Sequence, residues 1–325
     1  MIGKNFLALC GTFAFLATLI SPAAAQEWAP TRPVRIVVPV VGGTVDILAR
    51  LVAPRLQEAL GQPMIVENRA GAGGNTATDF VAKSAADGHT LLASFTAPIT
   101  VNPTLFAKLP SDPQKDLAPV MLAVSTHQFL VVHPAVPART VAELVQYLKA
   151  NPGRLSYASI AVGGASHLTM EMFKSVAGVD LLHVPYKGTG PAITDLLAGN
   201  VQAAMLVAGN VLPHLKTGKL HALAATGRKR FGSAAEVPTM IESGFPDFEA
   251  VAWIGFHAPG GTPREAIGRY HRELSRILAL AEVRERLSGL EFDIVASSPQ
   301  GFADYIRLET LRWAKVIRDT GAKAE

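Results

Sequence analysis

The sequence predicts an α/β fold of two lobes, each a mostly parallel sheet flanked by helices. Strand, glycine loop and helix follow one another repeatedly after residue 33, and a second set of such units begins near residue 155. Without its N-terminal leader the chain has about 300 residues, more than one hydrophobic core commonly supports. Repeated βα units in series imply parallel strands with helices on both faces.

The N-terminus carries Lys4, an apolar stretch from Phe6 to Ile20, and then Ser21-Pro22-Ala23-Ala24-Ala25 before Gln26. The apolar core is short of the roughly 20 residues that span a membrane, and small residues stand at the positions signal peptidase requires. A secretory signal peptide over 1–25, cleaved after Ala25, is expected. Cys10, the one cysteine, sits too early in the leader for lipidation. The mature chain therefore lacks cysteine and has no disulfide or thiolate chemistry.

The run Val34 to Val40 is short, β-branched and apolar, as a buried strand is, and it ends in Gly42-Gly43. From Asp46 to Leu60 apolar residues recur at helical spacing, and Gly61 before Pro63 stops the helix. The pattern repeats as a strand at Met64–Glu67, a glycine loop at 71–75, a helix over about 76–85 and a strand at Thr90–Ser94. Gln128–His133 is a further strand. Thr140 with Glu143 makes a capping box for a helix ending near Ala150.

The second set comprises strand Leu155–Ser159, loop Gly163-Gly164, a helix from about Ser166 to Ala177, and strand Asp180–Val184. A helix at Pro191–Ala198 and strands at Val201–Val207 and His221–Thr226 follow. A strand at Ala250–His257 precedes helices near 263–279, 281–288 and 299–320. That tail has too little strand for its own sheet and is expected to pack onto one lobe. The expected lobes are 27–125 plus 251–325, and 126–250.

Lys and Arg number 30 against 26 Asp and Glu, and the basic cluster Arg228-Lys229-Arg230 lacks interleaved aromatics, so nucleic acid is not the expected partner. There is no Walker A loop, Gly-x-Gly-x-x-Gly, His-Glu-x-x-His or Gly-x-Ser-x-Gly, so no nucleotide, metal or cofactor is expected. Trp28, Trp253 and Trp313 are expected as packing anchors.

Ligands of parallel sheets bind at the carboxyl ends of strands, where helix N-termini favour anions. The loops suited to this are Val41 to Asp46, Ser94 to Thr100, Ser159 to His167 and Val207 to Asn210. Gly42, Gly43 and Thr44 offer approachable N–H groups and a hydroxyl; Gly163, Gly164, Ser166 and His167 offer glycines, a hydroxyl and an imidazole. Taken singly, such glycines more simply permit tight turns. Asp46 either caps its own helix or touches ligand. His167 alone more simply makes a structural hydrogen bond.

Taken together, these stretches resemble one family, the substrate-binding receptors of tripartite tricarboxylate transporters (Bug family). The resemblance runs through Pro33 to Pro39, Gly42-Gly43 with Asp46 to Arg50, Val66 to Arg69 with Gly71 to Gly74, and Asp87 to Leu92. It continues at Asn102-Pro103, His183 to Gly188, Gly218 to Leu220, Val237 to Thr239 and Ala258-Pro259. It implies a two-lobed periplasmic-binding-protein fold that closes over a small carboxylate for uptake by membrane permease subunits, as a monomer and without catalysis. By correspondence the contacts are Gly42, Gly43, Thr44, Ser94, Thr96, Ser159, Ser166 and His167, with Val41, Asp46, Gly163, Gly164, Tyr186, Ala208, Gly209 and Asn210 completing the expected site.

Two departures from the family matter. The loop Val40 to Val45 is shorter and more apolar, and Leu206-Val207 stands where polar-ligand members carry Asp-Asn. The far end of the pocket is expected to be apolar, suiting a hydrophobic or aromatic acid. Rival readings are a ligand sensor docking on a membrane signalling protein, and a secreted hydrolase using Ser166 and His167; neighbours on a helix do not face each other, which counts against the second. Ser166→Ala and His167→Ala are expected to weaken binding with little change in apo stability.

Overall fold

A computed structural model describes residues 28–321 except Ala161 and Lys187. The leader, Cys10 and the cleavage point after Ala25 lie outside the described residues. Strand β1 (Val34–Val38) is buried at four of its five positions and runs through the paired glycines into α1 (Thr44–Leu60). Helix α1 buries Leu48, Val52, Leu56 and Leu60, a stripe at four-residue spacing. It stops at Gly61, whose φ of 71° only glycine adopts readily and whose N–H donates to the Gln57 carbonyl. Then come β2 (Met64–Asn68), a 3₁₀ turn at Ala72–Gly74, α2 (Asn75–Ala82) and β3 (Thr90–Phe95). Helix α2 ends three residues before the sequence suggests. A π-helical turn (Ala97–Val101) leads into α3 (Asn102–Leu105).

Strand β4 (Leu117–Val132) is much longer than the strand foreseen from Gln128. Its first half hides a proline, Pro119, at a register shift of its pairing, where a missing N–H is tolerated. Helix α4 (Val141–Ala150) is capped by the Thr140 hydroxyl, which accepts from the Glu143 N–H; the Glu143 carboxylate accepts from the Arg139 N–H, one residue ahead of the cap. The second set of units is β5 (Ser156–Ile160), α5 (Ala165–Ala177), β6 (Leu182–Tyr186), α6 (Thr189–Ala198), β7 (Ala203–Val207), α7 (Ala208–Lys216) and β8 (His221–Ala225). The chain returns through β9 (Val251–Pro259) to α8 (Arg264–Leu278), α9 (Ala281–Ser288), the short β10 (Asp293–Ile294) and α10 (Pro299–Thr320).

The strands form one curled path, β2-β1-β3-β9-β4-β7-β5-β6, with β8 and β10 also paired to β4. The outer blocks β2-β1-β3 and β6-β5-β7 are parallel, as the βα pattern predicts, while β9 and β4 run antiparallel between them. Strand β4 is shared: Leu117 to His127 pair with β9, and Gln128 to Val132 pair with β7. The architecture is a two-lobed periplasmic-binding-protein fold, and β4 changes partner from β9 to β7 between His127 and Gln128.

One core lies between the first sheet and α1, α8 and α9, with Ile36, Leu48, Phe256 and Tyr270 fully buried. Another joins the second sheet to α4 and α5 through Leu130, Tyr157, Leu168 and Phe173. The tail was expected on one lobe, but α10 joins both. Phe302 and Ile306 pack with Val37, Leu92 and Trp253, whereas Trp313, Val316 and Ile317 pack with the second core. A helix of 22 residues spans about 33 Å, long enough to cross from one lobe to the other. Trp28, Trp253 and Trp313 all pack into these cores.

Candidate ligand-binding site

Between the lobes lies a cavity of about 940 Å³. Three helices begin on its wall: α1 at Gly43, Thr44 and Val45, α5 at Gly164, Ala165 and Ser166, and α7 at Val207, Gly209 and Asn210. The residue preceding each helix (Gly43, Gly164, Val207) gives it no side-chain cap. The first N–H groups of a helix have no intrahelical partner and its dipole places partial positive charge there, so three such ends on one cavity favour an anion. Among the described residues, no three His, Cys, Asp or Glu side chains gather as a metal site would require.

The loop before α1 is fixed from behind. The Gly42 N–H donates to Asp46 Oδ2 at 3.1 Å, and the same carboxylate accepts from Arg50 Nε at 3.1 Å and from Asn68 Nδ2 at 2.8 Å. Gly42 has a φ of 68°, which suits glycine. Burial alone would raise the Asp46 carboxyl, but these donors outweigh it and hold it below the usual aspartate range. Asp46 is thus a brace for the loop and is not among the cavity-lining residues; Gly42 and the exposed Val41 also lie outside the wall.

The loop before α5 is braced by neutral groups. Ser166 Oγ accepts from the Ile160 N–H at 2.8 Å, and His167 Nδ1 accepts from the Gly163 N–H at 2.9 Å. Accepting at Nδ1 places the ring proton on Nε2. The His167 ring stacks on His183, with centroids 4.1 Å apart, and His183 Nε2 meets Ser159 Oγ at 2.6 Å. Burial, then the neighbouring His183, push the His167 pKa down to about 4, so the imidazole is neutral. Glycine suits position 163: its φ of 74° strains other residues, and a Cβ there would stand 2.4 Å from Leu105 Cδ2 and make that side chain shift.

Of the expected contacts, Gly43, Thr44, Thr96, Gly164, Ser166, Gly209 and Asn210 line the cavity. Ser94 and Ser159 are fully buried in their strands, Ala208 is buried at the start of α7, and Gly163 and His167 stand behind the loop they shape. The Tyr186 hydroxyl donates to Asp195 Oδ2 at 2.6 Å, and burial together with Asp195 pushes it up to about 12, so it is engaged away from the cavity. Ser166 and His167 make separate backbone bonds, and so the expectation that replacing either leaves the apo protein's stability nearly unchanged is revised: both hold the loop.

Several wall residues escaped the sequence argument. Thr126 and Gln128 form the floor where β4 passes between lobes, beside Val251, Ala252 and Trp253 of β9. The turn Gly289–Phe292 between α9 and β10 closes one side, and its Glu291 accepts from the Ser233 hydroxyl of the opposite lobe at 2.8 Å. Glu291 has a φ of 61°, a conformation no residue pattern announces.

Comparison with known proteins agrees with this geometry. Residues 48–322 match the family described as "Tripartite tricarboxylate transporter family receptor". The chain is 39% identical to Protein BugT of Bordetella pertussis over 98% of both chains. Among solved structures it is similar to R. palustris Rpa4515 with adipate (34% identity, TM-score 0.77, covering 90% of this chain and 99% of that one) and to the periplasmic binding protein BugD (32% identity, TM-score 0.73, covering 91% and 100%). A match over this much of the chain, on a fold whose cleft gathers three open helix N-termini, assigns it plainly: the protein belongs to the tripartite tricarboxylate transporter receptor family.

Proposed function

We propose that the chain is an extracytoplasmic receptor that captures a small carboxylate between two lobes, for uptake by a membrane transporter, and that it performs no catalysis. The observation that carries this is the convergence of the α1, α5 and α7 N-termini, each without a side-chain cap, on one cavity. Three partial positive charges with free N–H donors hold a carboxylate without needing a cation. A relative 34% identical to this chain was solved with adipate, a carboxylate. The leader-like N-terminus directs the protein across the inner membrane to the periplasm, where it works as a monomer.

A hydrolase would need a serine and histidine paired at the cavity. Ser159 and His183 do meet, but Ser159 is fully buried, and the Ser166 hydroxyl accepts from a backbone N–H. The lobes, 27–125 with most of 251–325 and 126–250, close about the shared β4 and β9. A ligand touching both lobes lowers the closed state by its differential affinity, and the permease subunits read that shape.

Thermal-shift measurement on residues 26–325 tests this against dicarboxylates, tricarboxylates, monocarboxylates, acidic amino acids and uncharged analogues. A ligand at 100 times its Kd adds about 2.7 kcal/mol. Stabilisation confined to carboxylates is expected; stabilisation by uncharged compounds alone would sink the proposal.

A further inference from the structure

Away from the three helix ends, the cavity wall is mainly apolar, with Thr96, Thr126 and Gln128 as uncharged polar members. Val40, Phe95 and Phe292 supply most of it from the first lobe, and Ile160, Leu206 and Leu212 from the second. Its charged lining residues, among those described, are Lys216 and Glu291. Lys216 is exposed on the last turn of α7, while the Glu291 carboxylate faces the Ser233 hydroxyl. A second ligand carboxylate in this region would lose water against aliphatic and aromatic side chains and approach a like charge, a costly combination. A ligand ammonium would find Glu291 as its one acidic neighbour on the wall, itself already accepting a hydrogen bond.

We infer that the ligand is a monocarboxylate with an extended apolar body, of the medium-chain or arylalkanoic class, whose carboxylate sits at the helix ends and whose body covers the apolar wall. The inference rests on the carboxylate-receptor function and specifies its substrate class. Magnitudes decide between the two chemistries. Each methylene moved from water into the wall tightens binding about fourfold (~0.8 kcal/mol). An exposed pair with Lys216 gains at most about fivefold. Two buried methylenes already outweigh that pair.

The test is calorimetric titration of residues 26–325 with straight-chain monocarboxylates from butyrate to decanoate, 3-phenylpropionate, the α,ω-diacids of matched length including adipate, and malate. The expected result is a rise of about fourfold in affinity per added methylene over several members, hexanoate bound more tightly than adipate, and a heat-capacity change that grows more negative with chain length. Malate or adipate binding tightly while the monocarboxylate series stays flat would overturn the apolar-acid inference and leave the carboxylate receptor standing. Absence of binding by every carboxylate would overturn the receptor function itself. Phe292→Ser adds an arm away from the helix ends: Phe292 is a half-buried wall residue in the turn after α9, and in a variant shown to be folded by its thermal unfolding, decanoate affinity is expected to fall at least tenfold while butyrate affinity is kept. A folded F292S variant that binds decanoate as the wild type does would overturn the placement of the apolar body.

Discussion

On the first lobe, the loop that faces the cleft is tied to a carboxylate: Asp46 takes the Gly42 N–H, is charge-paired with Arg50 and accepts a further hydrogen bond from the Asn68 amide. On the second lobe the equivalent loop is tied to a hydroxyl and an uncharged imidazole, Ser166 and His167. Both devices hold the backbone from behind and leave the following helix N-terminus open toward the cavity. The difference is electrical. A negative brace beside an anion site is tolerable only because its own cation and amide face it, whereas neutral braces need no compensation but fail once the imidazole is protonated. The two lobes therefore respond to acid over different ranges.

The largest effect is expected from His167→Ala, which deletes a buried ring stacked on His183 and leaves the Gly163 N–H without its acceptor. A loss of about 2–4 kcal/mol is expected from the combined cavity and unpaired donor, measured by urea unfolding at pH 7.5. A loss below ~0.5 kcal/mol would mean that the stack and bond do not brace the loop. The same variant sharpens the pH contrast. A histidine whose folded pKa is depressed contributes stability that is present above its unfolded pKa near 6.5 and is lost as pH falls toward the folded value. His167 is held down to about 4 and His257, by burial, to about 3, while His127, His183 and His221 shift the same way. Glu309, raised by burial to about 7, acts oppositely and gains stability as pH falls from 7 toward 4.5. Two large histidine shifts with three smaller ones outweigh one carboxyl, so stability should decline between pH 6.5 and 4, and less steeply in H167A.

Asp46→Asn should cost less, about 1–2 kcal/mol, because the amide keeps one acceptor for the Gly42 N–H while losing its charge-assisted bonds. Its depressed carboxyl supplies stability that is present above the unfolded value near 3.8 and is lost below it. The variant should thus blunt the acid limb below pH 3.8 and leave the 6.5 to 4 range unchanged. A changed slope in the upper range would break the assignment of separate acid responses to the two lobes.

The βα units were legible because burial writes itself into local pattern: the β-branched run at Val34–Val38, the α1 stripe and the stop at Gly61 require only near neighbours. The starts of α1 and α5 on the cleft were legible for the same reason, since a glycine loop at a strand's end fixes where a helix begins; α7 (Ala208–Lys216) was missed, because it follows Val207 directly with neither a glycine loop nor a capping side chain to announce it. What could not be seen locally was the passage between lobes. Leu117–His127 contains Pro119 and lacks alternation because both faces are buried, and its pairing partner lies more than 120 residues away in β9. The division of α10 between two cores depends on what surrounds Phe302 and Trp313, not on their spacing. Sequence also placed His167 in the site without showing which way its ring turns; it turns to Gly163.

Ser166 tests the second lobe most finely, because it does two things at once. Its oxygen accepts from the Ile160 N–H and its residue lines the cavity, so the hydroxyl hydrogen remains to donate to a ligand carboxylate. Removing the oxygen in Ser166→Ala should cost only about 0.5–1.5 kcal/mol of apo stability, the net worth of one hydrogen bond. A bond to a charged acceptor is worth more, about 1.5–3 kcal/mol, so binding should weaken by roughly tenfold or more. Measuring both quantities on one preparation separates the roles. If stability falls while carboxylate affinity is kept, the hydroxyl only staples the loop, and the second lobe holds its anion through the backbone N–H groups at the start of α5.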